Sequence, residues 1–170
     1  MTLEEAFMQI VDKHPWTAMW LRLRHIIVAV PGRAWEARSS DDRCPDDVLA
    51  LGCKGTSSRG RLSWVGWDFD VGHGGRSYPT TAAAILDAQR LRRRLAGQAE
   101  IRLSKSGVGV HVRYLLPDHR YSEASGPRIA KALASELHLQ VDSSALGRQA
   151  FWLWSRERKP DAFKLVVAAL

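Results

Sequence analysis

The sequence predicts an α+β fold in which helices cover one face of an antiparallel or mixed sheet. Three observations carry that expectation. Short β-branched apolar runs alternate with segments of helical apolar spacing, glycine and proline bound most of them, and no repeat, low-complexity tract or linker divides the 170 residues. The length allows one sizeable core, and an apolar fraction of 45% with 25% charged residues excludes a globally disordered chain, so residues 1–170 are expected to form one domain.

Taken in order, Leu3 to Asp12 places Leu3, Phe7, Ile10 and Val11 near helical spacing, with Thr2 as N-cap and Glu5 able to complete a capping box. The run HIIVAV, His25 to Val30, is stopped by Pro31 and Gly32 and suits a buried strand. Arg33 to Arg61 turns polar through SSDDRCPDD and KGTSSRGR, which predicts an irregular segment with a short helix near Asp46 to Leu51. A strand from Leu62 to Val71 follows, and GHGG turns the chain. Thr80 or Thr81 caps a helix reaching about Leu95, with Ile85, Leu86, Leu91 and Leu95 as its apolar positions and Arg90, Arg92, Arg93 and Arg94 mostly outward. Strands near Glu100 to Ser104 and Gly109 to Leu116 flank the turn KSGV. A helix over Pro127 to His138 repeats Ile129, Leu133 and Leu137 every four residues. Strands near Leu139 to Asp142, Gln149 to Trp154 and Phe163 to Val167 complete the chain. The second half therefore reads as a split β-α-β, RRM-like sheet preceded by an N-terminal αβ portion.

Lys and Arg outnumber Asp and Glu by 25 to 18, a formal net charge of +7. Such a chain attracts polyanions, so nucleic acid or nucleotide is the first partner to consider, against the alternative of a merely solvated basic surface. Cys44 and Cys53 are the only cysteines, too few for a four-thiolate zinc site. The start, MTLEEAFMQIVDKH, lacks the basic and apolar regions of a signal peptide, and no apolar run approaches the roughly 20 residues that span a bilayer. A cytoplasmic protein without membrane contact is the expectation.

Three stretches carry candidate chemistry. In LSWVGWDFDVGHGG, strand alternation sends Asp68 and Asp70 to one face and Trp67, Phe69 and Val71 to the other. Their Cα atoms would lie about 6 to 7 Å apart at a strand's rise per residue. Two carboxylates that close repel unless cations or protons compensate, and hard oxygen donors suit Mg²⁺ or Mn²⁺. The same pattern also fits any strand with a solvated face. In RLSKSGVGVHVRYLL, His111 shares a strand face with Gly109, where a ligand can approach closely. The preceding Ser104, Lys105, Ser106 and Gly107 could surround phosphates with hydroxyls, an ammonium and backbone N–H groups. The competing reading is a hairpin turn with a half-exposed histidine. In LQVDSSALGRQAFWLWS, Asp142 ends a short strand and Arg148 precedes an aromatic strand, although Asp142 could merely cap the Ser-Ser turn and the aromatics could be core.

The ordered set resembles the catalytic core of the archaeo-eukaryotic primase superfamily, the primase-polymerases, in the form found in phages and plasmids. The first motif is matched by Trp67, Asp68, Phe69 and Asp70, the second by His111 within SKSGVGVH, and the third by Val141 and Asp142. The likeness spans residues 64–154. It implies that Asp68, Asp70 and Asp142 hold two divalent ions, Mg²⁺ or Mn²⁺. It implies further that His111 contacts nucleotide phosphates, with Ser104, Lys105, Ser106 and Arg148 as further triphosphate contacts. The implied activity is template-directed nucleotidyl transfer with NTPs or dNTPs on single-stranded DNA, making or extending primers for a phage, plasmid or related element, with a replicative helicase as possible partner. The family's frequent Ser-x-His has Gly109 in the serine place, so any hydroxyl must come from Ser104 or Ser106. No Cys and His cluster suggests a zinc-binding insertion. Template contacts would fall to Arg22, Arg24 and the helix Arg90 to Arg94, with Trp16, Trp20 or Trp35 stacking on bases. Two rival readings are a non-catalytic RRM-like nucleic-acid binder and another Asp-x-Asp metal-dependent transferase acting on nucleotides or sugar nucleotides.

Overall fold

A computed structural model of the chain describes residues 1–10, 26–54, 60–62, 64–72, 77–116, 121–141, 150–157 and 159–169. The described residues form α1 (Leu3–Ile10), β1 (Ile26–Ala29), β2 (Glu36–Arg38), β3 (Ala50–Lys54), β4 (Trp64–Phe69) and α2 (Thr81–Arg94). They continue as β5 (Ala99–Leu103), β6 (Val110–Leu115), α3 (Ser125–Glu136), β7 (Ala150–Ser155) and β8 (Leu165–Val167). The fold is α+β. It holds two four-stranded antiparallel sheets, ordered β2-β1-β3-β7 and β4-β6-β5-β8.

Local chemistry explains most element ends. The Thr2 N–H donates to Glu5 Oε2 at 2.8 Å while the Glu5 N–H donates to Thr2 Oγ1 at 3.2 Å, so α1 opens on the expected capping box. Thr80 caps α2, its Oγ1 accepting from the Ala83 N–H. Beyond α2, Ala96 and Gly97 both take positive φ and the Gly97 N–H returns to the Arg92 carbonyl. β4 and β5 each run antiparallel to β6, hence parallel to one another, and α2 is their crossover. This is the split β-α-β unit expected from the sequence.

Alternation sorts this second sheet into two faces. Val65, Trp67 and Phe69 of β4, with Ile101 of β5 and Val112 of β6, pack under Ala84, Ala88 and Leu91 of α2 and Ala130 and Ala134 of α3. The small alanines let both helices approach the sheet, and the Trp67 indole N–H donates to the Ala130 carbonyl at 3.1 Å. The other face meets the first sheet. There Trp64 stacks on Phe151 of β7, centroids 5.3 Å apart, inside a core shared with Leu3 and Phe7 of α1 and Leu51 of β3.

Four expectations are corrected. The helix near Asp46 to Leu51 does not form: the Val48 N–H closes a turn on the Pro45 carbonyl, the Leu49 N–H bonds the Ala29 carbonyl, and β3 begins at Ala50. The segment from Arg33 to Arg61 is thus less irregular than its polarity suggests, since it supplies β2 and β3 as partners of β1. Residues 139–141 are not a strand, because His138 adopts φ 52° and the Leu139 N–H turns back to the Ala134 carbonyl as α3 ends. Leu86 is 63% exposed, so alanines rather than this leucine form the inner face of α2. In addition α3 starts at Ser125, with Pro127 as its third residue. No helix among the described residues is long and apolar enough to cross a membrane.

Candidate functional site

The register of the second sheet pairs Asp68 of β4 and Arg102 of β5 with His111 of β6, so three polar side chains meet on the face turned away from the helices. His111 Nε2 lies 3.4 Å from Asp68 Oδ1. The imidazole packs against Phe151, centroids 4.4 Å apart, and its Nδ1 is buried with no hydrogen-bond partner among the described residues.

Asp70 lies one residue beyond β4, and its carbonyl accepts from the Tyr78 N–H at 2.8 Å. Tyr78 in turn donates its hydroxyl proton to Asp87 Oδ2 of α2 at 2.8 Å and accepts from the Gln140 N–H. Burial, and then the bond to Asp87, push its phenol well above the usual range. One neutral tyrosine therefore ties the Asp70 backbone to α2 and to the exit of α3. Nothing in the motif pattern marked it.

The turn after β5 is tightly built. The Ser104 N–H bonds the Gly109 carbonyl at 2.8 Å, Gly107 returns to the Ser104 carbonyl, and Val108 and Gly109 donate to Ser106 Oγ at 3.4 Å each. Those N–H groups serve the turn itself rather than forming the anion cradle expected from the sequence. The two hydroxyls join the same turn, Ser104 Oγ lying 2.8 Å from Ser106 Oγ, and with Lys105 they line the neighbouring cavity. Gly109 leaves room for the Ser104 hydroxyl in its present place, since a Cβ would come 2.9 Å from Ser104 Oγ. The Ser104 side chain thus fills the space beside the position where a serine was expected by resemblance.

These groups open on one cavity of about 570 Å³. Asp68, Asp70, Ser104, Lys105, Ser106 and His111 line it from the second sheet, and Ile27, Trp35, Phe151 and Trp152 line it from the first. Its volume falls in the range of small-molecule sites. Asp142 and Arg148 lie outside the described residues, as do Arg22, Arg24, Trp16 and Trp20. Among the described residues no group of three or more His, Cys, Asp or Glu is placed to hold a metal ion. The carboxylate pair of Asp68 and Asp70 supplies the hard oxygen donors that Mg²⁺ or Mn²⁺ takes, and it fits such an ion as part of a larger ligand set.

Behind the cavity lies a buried ionic layer that the motif reading passed over. Glu100 Oε1 accepts from Arg102 Nε and Arg113 Nη2, each at 2.9 Å, and Arg102 Nη1 also donates to the Phe163 carbonyl at 3.1 Å. The Arg113 guanidinium stands 5.7 Å from the Phe151 ring centre. Burial lowers the Arg113 pKa and pushes the neighbouring Cys53 thiol up to about 12. The sequence signal was the alternation AEIRL and VHVR, which reserves one face for charge.

The arginines of α2 are mostly committed to the fold. Arg90 binds Asp87 and the Leu137 carbonyl, Arg92 the carbonyls of Ala99 and Ala168, and Arg94 the Glu136 carboxylate. These bonds staple α2 to its neighbours. No protein-family model matches the chain, and no curated protein matches its sequence.

Proposed function

We propose that this chain is a template-directed nucleotidyltransferase of the primase-polymerase kind, using NTPs or dNTPs on single-stranded DNA. One observation carries the reading: Asp68, Asp70, Ser104, Lys105, Ser106 and His111, picked from separate sequence motifs, line a single cavity. Asp68 and Asp70 would hold divalent ions together with Asp142. Bound there, two such ions would activate a primer 3′-hydroxyl and neutralise the leaving pyrophosphate.

The remaining work falls to side chains of the cavity wall. The Lys105 ammonium and the Ser104 and Ser106 hydroxyls face the place where phosphates would lie, supplying positive charge and donors without a rearrangement of the rigid turn. His111, held between Asp68 and Phe151, turns Nε2 toward Asp68 at the cavity wall, so a phosphate oxygen would have to share that nitrogen with the carboxylate.

The test is incorporation of labelled nucleotide on single-stranded DNA, with and without an annealed primer. Incorporation should require Mg²⁺ or Mn²⁺ and fall by about a thousandfold or more, on the scale of lost catalytic electrostatics, in Asp68→Ala and in Asp70→Ala. Undiminished activity in both variants, with their thermal unfolding unchanged, would exclude the proposal. Mn²⁺ titration separates the enzyme from a simple nucleic-acid binder, which would show no uptake dependent on Asp70. Heat protection by polymerase substrates rather than sugar nucleotides separates it from other Asp-x-Asp transferases.

A further inference from the structure

The cavity is chemically two-sided. Its second-sheet wall is charged and hydroxylic, whereas Ile27, Trp35, Phe151 and Trp152 make the facing wall apolar and largely aromatic. Phe151 is fixed between Trp64 and His111, and Ile27 is 2% exposed, so both belong to the core. Trp35 differs. It is 50% exposed, while Trp64 and Trp67 are fully buried. It directly precedes β2, and the pairing of Glu36 with Val28 anchors the backbone next to it. An indole displayed on an anchored backbone at the mouth of a charged cavity offers a flat π-face at a small ordering cost.

We propose that Trp35 is the stacking platform for the base of the bound nucleotide, which lies across the cleft with its phosphates on the second sheet. This inference rests on the nucleotide reading of the cavity and adds where the base is held. A polyphosphate would use only the polar wall, and an apolar ligand only the aromatic one. A molecule with a polyanionic end and a planar aromatic end uses both.

Calorimetric titration of the full chain with ATP, dATP and inorganic tripolyphosphate, with Mg²⁺ present, tests the assignment. Trp35→Ala should weaken ATP and dATP by about tenfold or more, the usual scale of base stacking, and leave tripolyphosphate within about twofold. Trp35→Phe should restore most of the loss. Lys105→Ala should weaken all three ligands. Unchanged ATP affinity in Trp35→Ala, equal weakening of ATP and tripolyphosphate, or weakened binding of a single-stranded oligonucleotide alone would each overturn the inference. If the unaltered chain binds none of the three, the nucleotide reading falls with it. If the base effect is found while no incorporation occurs, the transferase reading falls and the platform stands.

Discussion

The two sheets have the same number of strands and the same antiparallel pairing, yet they turn different chemistry toward the cleft between them. The sheet β4-β6-β5-β8 spends one face on small-residue packing under α2 and α3, and its other face carries Asp68, Glu100, Arg102, His111 and Arg113. The sheet β2-β1-β3-β7 contributes Ile27, Trp35, Phe151 and Trp152. Charge on the inner face of a covered sheet has to be paired or used. Glu100 with Arg102 and Arg113 is paired, while Asp68 and His111 border the open cavity. One layer therefore holds both the paired charges of Glu100, Arg102 and Arg113 and the polar side chains that line the cavity.

The largest effect should come from breaking the paired part. Glu100→Ala removes the carboxylate that two buried guanidiniums share and should cost about 3–5 kcal/mol, read as a drop in urea midpoint at constant slope. Glu36→Ala on the exposed edge strand β2 removes only a surface partner of Arg38 and should cost about 1 kcal/mol or less. Equal losses in the two variants would show that the inner layer is not under the strain that burial implies.

The first sheet has its own sensitive point. Gly52 faces Ile27, and a Cβ there would meet the Phe151 carbonyl and the Ile27 side chain, beside the register shift between β3 and β7. Gly52→Ala should destabilise by about 1–3 kcal/mol through overpacking against backbone. It should also reduce nucleotide affinity, because the displaced atoms belong to the aromatic wall. Retained stability with normal binding would detach that wall from the ladder beneath it.

How far the sequence spoke for the structure also differs between the sheets. In the second, strict alternation and short turns made β4, α2, β5 and β6 legible, and with them the strand faces that carry Asp68 and His111, which the pairing makes register partners. In the first, the polarity of residues 33–49 hid β2, and Asp46 to Leu51 looked helical in a window too short to show a period. Which strand joins which sheet is a long-range choice. β7 follows the predicted third motif in sequence but pairs with β3, so nothing local announced that Phe151 would touch His111. Tyr78 was equally silent, since its role depends on Asp87 and Gln140 meeting around one hydroxyl.

A milder substitution contrasts the second sheet's glycine with that of the first. Gly109→Ala would bring a Cβ to 2.9 Å from Ser104 Oγ, the end of a side chain that can rotate, rather than against backbone. The stability cost should stay below about 1 kcal/mol, as for a small-to-large change that a neighbour can absorb. The Ser104 hydroxyl must then leave its place beside Ser106, so the nucleotide KM should rise with little change in kcat. A fall in kcat at constant KM would place Ser104 in the reacting geometry instead of the phosphate cradle.

The last effect is silent at neutral pH and probes the layer's burial directly. Burial, partly offset by Arg113, raises the Cys53 thiol from its ordinary value near 9 to about 12. The folded chain therefore keeps a proton that the unfolded chain releases. The associated stability is fully present below pH 9 and is lost as pH climbs toward 12, with a limiting slope of about 1.4 kcal/mol per pH unit for one proton. Other groups titrate in that range, so the measurement is the difference between the unaltered chain and Cys53→Ala, followed by urea unfolding from pH 8 to pH 11. The gap between the two should narrow steadily above pH 9. A constant gap would mean that the thiol ionises in place beside Arg113, and the inner layer would then be wetter than its closed packing against Phe151 requires.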